Sequence, residues 1–76
     1  MIVSYRDGQG DQAHFRGRVD HVETSDDPIR DITWIDVSGN GDAIRVMFGG
    51  GVFALDEDLE ISQSIGYIAH VELEVD

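Results

Sequence analysis

Residues 32–55 read ITWIDVSGNGDAIRVMFGGGVFAL, apolar and polar positions alternating between two glycine-bearing interruptions. Alternation with period two predicts half-buried strands, and the interruptions predict tight turns. Asn40-Gly41 and Gly49-Gly50 suit type I′ turns, whose two central residues both need positive φ. A turn centred on Asn40-Gly41 pairs Val37 with Ile44, Asp36 with Arg45, Ile35 with Val46 and Trp34 with Met47. A turn centred on Gly49-Gly50 pairs Phe48 with Gly51, Met47 with Val52, Val46 with Phe53 and Ile44 with Leu55. Val37, Ile44, Leu55, Ile35, Val46 and Phe53 then share one face, and a slip of one residue would scatter them over both.

The same period recurs on either side. Residues 2–6 alternate weakly, with Val3 and Tyr5 together. Residues 14–23 form a longer strand with Phe15, Gly17 and Val19 on one face and His14, Arg16 and Arg18 on the other. A mid-strand glycine marks a bulge or bend, and the phase shift to Val22 places a further bend near Asp20-His21. Residues 7–12 and 24–31 read as loops, the second with the only proline. Residues 56–63 are acidic and lack a period, with Leu59 the anchor of a short turn. The chain closes on Tyr67, Ala69, Val71, Leu73 and Val75 alternating with Ile68, His70, Glu72, Glu74 and Asp76.

Five or six short strands with hairpin-sized connections predict an all-β, antiparallel, partly open small barrel over residues 1–76, SH3-like in kind, with an OB-like barrel second. A long bent second strand is the device that wraps such a sheet. Seventy-six residues make one domain. A chain of that length buries only about 60% of its unfolded surface, so the core is thin.

Composition adds charge to this picture. Sixteen acidic residues face five arginines and no lysine, a net charge of −11. A hydrophobic content of 41% and the alternation argue against disorder. An aspartate-rich, lysine-free surface resembles the proteins of haloarchaea and other salt-in halophiles, and monovalent salt is the expected requirement for folding. At ~1 M salt the Debye length is about 3 Å, so net charge neither steers nor repels a partner strongly. Without cysteine there is no disulfide or thiolate zinc site. Without a long apolar run or a signal-like start, the expected setting is cytoplasmic, with no membrane partner.

Candidate chemistry is sparse. Asp36, Ser38, Asn40 and Asp42, with Gly41 at the sixth position, match the opening of a calcium loop. The twelfth position is Met47 rather than glutamate, and a hairpin accounts for every residue, so a cation site is the weaker reading. His14, His21 and His70 match no metal-ligand spacing. The serines lie in no nucleophile elbow, and neighbouring carboxylates are expected by composition alone. Gly49-Gly50-Gly51 lacks the helix of a phosphate cradle. Neither catalysis nor a cofactor is expected.

Charge is unevenly placed: residues 1–23 carry three arginines against four acids, and residues 24–76 two against twelve. Arg6, His14, Arg16 and Arg18 form a candidate nucleic-acid surface, since arginine on a small barrel contacts phosphates and stacks on bases. Trp34 and Met47, with Val52 beside Met47, lie on the face away from the aliphatic set and form a candidate protein interface. The leading expectation is a non-enzymatic binding or assembly module working by protein–protein or self-association. Nucleic-acid binding through the arginine-bearing hairpin is the alternative.

Overall fold

The computed structural model describes residues 1–24, 33–47 and 50–72. Seven strands follow in order: β1 (Ile2–Arg6), β2 (Gln12–Arg16), β3 (Arg18–Glu23), β4 (Trp34–Gly39), β5 (Asp42–Met47), β6 (Gly51–Leu55) and β7 (Ile61–Glu72). They form one sheet in the order β2-β1-β7-β6-β5-β4-β3, every ladder antiparallel, curled into an open half-barrel. The loop 24–31 lies almost wholly outside the described residues, as do Ile32, Phe48, Gly49, Leu73 and Val75.

The all-β, partly open barrel is therefore as expected, with seven strands because the long second strand divides at Gly17. Its first half, β2, pairs with β1, and its second half, β3, pairs with β4. The two ends of the sheet are thus joined by one residue. Gly17 donates its N–H to the Met1 carbonyl, and the Met1 nitrogen donates to the Gly17 carbonyl, each at 3.0 Å. A Cβ on Gly17 would fall against the Ser38 carbonyl, and one on Gly39 against the Arg16 carbonyl. Two glycines let the backbones cross where the barrel turns its corner. The second bend is also present, as a register shift between Val19 and His21.

The first hairpin has the expected register throughout. Asn40 and Gly41 hold φ of 53° and 84°, the pair of positive values that a type I′ turn requires. The second hairpin is one residue off. Met47 pairs with Gly51, Val46 with Val52, Arg45 with Phe53 and Ile44 with Ala54, around a three-residue connection. Because side chains alternate, that slip turns Val52 inward and Phe53 and Leu55 outward. Val52 is 0% exposed. It is a core residue and is withdrawn from the candidate interface.

Val3, Ile35, Val37, Ile44, Val46 and Val52 form the core, with Tyr5, Phe15, Ile65, Ala69 and Val71 packed at its margin. A fully buried aliphatic side chain of this size stabilises by roughly 1.5–3 kcal/mol, so this small set suits a thin core. Beside it, Val19 and Val22 on the outermost strand β3 oppose Val37 and Ile35 on the inner face, yet both are exposed.

The last strand begins at Ile61, six residues before the alternating segment. Register shifts opposite Val52/Phe53 and Ala54/Leu55 break the period between residues 61 and 66, and another opposite Ser4/Arg6 turns Tyr67 outward. The two remaining described hairpin loops share one design. Asp7 Oδ1 accepts from the N–H groups of Gln9 and Asp11, and Asp56 Oδ1 from those of Asp58 and Glu60. In each, the fourth residue is left-handed: Gly10 at φ 83° in one, Leu59 at φ 63° in the other.

Candidate functional site

On the outer face the ladders set Glu23, Trp34, Met47, Gly51, Tyr67 and Arg6 in one row across six strands. The next row carries His21, Asp36, Arg45, Phe53 and Ser64. The Phe53 ring lies where a Cβ of Gly51 would stand, so the glycine makes room for an aromatic that covers its strand. Trp34, Met47 and Phe53 are each half-buried. Around them Leu59, Ile61 and Tyr67 are 58%, 48% and 44% exposed. Ile61 pairs with Leu55, two residues along β6 from Phe53.

A charged pair anchors this face. Asp36, only 6% exposed, receives Arg45 Nε at 2.7 Å and the second guanidinium nitrogen at 3.1 Å. The Arg45 guanidinium also lies 4.9 Å from the centroid of Trp34 and donates to the Leu59 carbonyl at 3.3 Å. One cation thereby ties β4, β5, the tryptophan and the 56–60 turn together. Its pKa is held above the ordinary guanidinium range, first by the hydrogen bond to Asp36, with burial opposing and the charges of Asp36 and Glu23 assisting. Trp34 Nε1 is buried without a hydrogen-bond partner among the described residues, so that edge of the indole offers nothing to a ligand.

The calcium-like residues do not converge. Asp36 and Ser38 lie on the outer face, Asn40 in the turn, and Asp42 on the inner face at the end of β5. Both Asp36 oxygens are engaged by Arg45. Among the described residues no group of three His, Cys, Asp or Glu side chains converges to hold a metal ion. His14 and His70 flank Ser4 in one outer row, while His21 lies on β3. His14 Nδ1 is 3.0 Å from Ser4 Oγ, His21 Nε2 is 2.8 Å from Glu23 and His70 Nε2 is 3.3 Å from Glu72.

The candidate nucleic-acid residues share the outer face without forming one patch. Arg6 pairs with Gln12 and Arg16 with Ile2, at opposite ends of the hairpin, about 14 Å apart along the strand at 3.4 Å per residue. Arg18 stands beyond the bend, opposite Ser38. Arg6 donates to the Gly10 carbonyl and Arg18 pairs with Asp20 at 3.2 Å.

The inner side of the sheet carries a concave feature that was not among the candidate sites. Between the turns at Gly41 and Asp56 the barrel opens on a cavity of about 510 Å³ floored by Tyr5, Phe15, Ile44 and Ile65. Its rim is Asp42, Asp56 and Glu57. The Tyr5 ring occupies the place of a Gly66 Cβ, so this floor depends on a glycine in β7. The available signal was the parity of Asp42 with Val46 and Ile44; Asp56 shares the parity of Val52 and Ala54, which the expected Gly49-Gly50 register turned outward.

No protein-family model, curated protein or solved structure matches the chain. Among the described residues no helix is long and apolar enough to cross a membrane.

Proposed function

We propose that the chain is a non-catalytic small β-barrel module that works by protein–protein contact, self-association included, through the outer face of β4–β7. The observation that carries this is the exposure of Leu59, Ile61 and Tyr67 around half-buried Trp34, Met47 and Phe53. Aromatic residues, methionine and arginine are enriched at interfaces, and exposed apolar groups gathered on one sheet face mark such sites. Leu59 adds a second support. It keeps a left-handed backbone where the sister loop has Gly10, a strained and exposed placement typical of functional positions. The proposed interface keeps Trp34 and Met47, with Phe53, Leu59, Ile61 and Tyr67 in place of Val52.

Sedimentation equilibrium in about 2 M NaCl tests this with wild type and the Ile61→Ser/Tyr67→Ser variant. Wild type is expected to associate with rising concentration, and the variant to stay monomeric with an unchanged circular dichroism spectrum. A wild type that stays monomeric to millimolar concentration removes self-association and restricts the partner to a different protein.

Single-stranded nucleic acid is the second candidate ligand. It is supported by one pairing, Arg6 opposite Tyr67, a cation beside an exposed aromatic. Fluorescence anisotropy with labelled oligothymidylate at the same salt decides it. Absence of binding by wild type ends the idea.

A further inference from the structure

The barrel mouth lies on the inner side of the sheet, away from the outer face of β4–β7 that the proposed function uses, and its chemistry is different. Going outward along β5 the inner residues are Val46, Ile44 and Asp42; along β6 they are Val52 and Ala54, and Asp56 follows as the first residue beyond the strand, its Oδ1 accepting from the N–H groups of Asp58 and Glu60. The register Ile44↔Ala54, carried one step further, sets Asp42 and Asp56 on the same row. Like charges on one row oppose each other unless a cation lies between them. Glu57 adds a third carboxylate to the rim, in a chain of net charge −11. Among the described residues no three such groups converge on a metal ion, so the rim suits an extended cation rather than a divalent one. The floor of Tyr5, Phe15, Ile44 and Ile65 is apolar, and about 510 Å³ is room for one large side chain and its neighbours.

We infer that this mouth is a binding site for a basic peptide segment of another protein: an apolar side chain enters the cavity between β1, β5 and β7, and adjacent lysine or arginine meets Asp42, Asp56 and Glu57. The two parts of the site make the two parts of the ligand necessary. Charge alone would select any polycation, and the cavity alone any apolar group.

The test uses a fluorescein-labelled pentapeptide with phenylalanine between two pairs of lysines. It is titrated into the full chain at the lowest KCl concentration that preserves the circular dichroism spectrum. Saturable binding is expected, at least tenfold weaker when glycine replaces the phenylalanine or glutamates replace the lysines. Asp42→Asn/Glu57→Gln, at two exposed side chains, and Ala54→Leu, which fills the cavity, are each expected to weaken it at least tenfold. Should Ala54→Leu not fold, the charge variant and the glycine peptide still decide. No saturable binding by wild type overturns the inference, as does equal binding of the glycine peptide or binding unchanged in the charge variant.

Discussion

Arg45 holds Asp36 by two parallel hydrogen bonds, at 2.7 Å and 3.1 Å, on the sheet face opposite the core. Removing one member strands a largely buried charge. Asp36→Ala is expected to cost roughly 2–4 kcal/mol, a large share of the stability of so small a domain. Asp36→Ala/Arg45→Met is expected to recover more than half of that loss. Urea titration measures both, and an Asp36→Ala variant within about 0.5 kcal/mol of wild type contradicts the anchoring role. The sign of the pH effect follows from the raised Arg45 pKa. Its contribution is fully present below the ordinary guanidinium range and is lost only as strong alkali deprotonates the folded group. From Arg45, stability is expected to be flat with pH across the neutral range and well above it.

The register of the second hairpin separates two neighbouring residues. Val52→Asp buries a carboxylate in the core and is expected to abolish the cooperative melt. Phe53→Ser uncovers Gly51 but leaves the core intact, and is expected to fold with a loss of about 1–2 kcal/mol. The reverse ranking would match the Gly49-Gly50 turn instead.

Gly17→Ala drives a methyl group onto the Ser38 backbone and is expected to cost roughly 1–3 kcal/mol. Gly8→Ala, where a Cβ meets nothing within 4 Å, is expected to lie within about 0.5 kcal/mol of wild type. Thermal melts of the two variants side by side read the difference.

Leu59→Gly relieves a left-handed leucine and is expected to stabilise the monomer by about 1 kcal/mol. The same change is expected to weaken self-association, because it removes the most exposed apolar side chain of the proposed interface. A variant both more stable and equally associated would separate Leu59 from the contact.

With a net charge of −11, raising NaCl from about 10 mM to 2 M is expected to raise the melting temperature by roughly 10 °C or more. A melt independent of salt over that range counts against salt adaptation.

How far the sequence could be read depended on how many turns each stretch allowed. Asn40-Gly41 admits one two-residue turn, and all of its pairings followed. The glycine run 49–51 admits a two-residue turn at Gly49-Gly50 or a three-residue connection over residues 48–50, and the positive-φ preference of a Gly-Gly pair pointed to the first, whereas Met47 pairs with Gly51. In the observed register Val52 is buried and the Phe53 ring covers Gly51 on the outer face. The start of β7 was hidden by two register shifts, since each extra residue resets the alternation. The shared loop design was visible in DGQGD and DEDLE, where aspartate opens both and an acid closes both. The pairing of Trp34 with Met47 followed from the Asn40-Gly41 turn. Tyr67 was placed on the wrong face, because the shift opposite Ser4/Arg6 has no mark in composition.

The one-residue joint at Gly17 has a consequence for how the domain comes apart. In an open sheet an outermost strand can fray alone, exposing its neighbour and a free edge that recruits other chains. Here the outermost strands are consecutive, and lifting β3 from β4 pulls on the residue that carries β2 and is hydrogen-bonded to Met1. Amide protons on β2–β1 and on β3–β4 should therefore exchange as a single cooperative unit, and the domain should lose its two margins together.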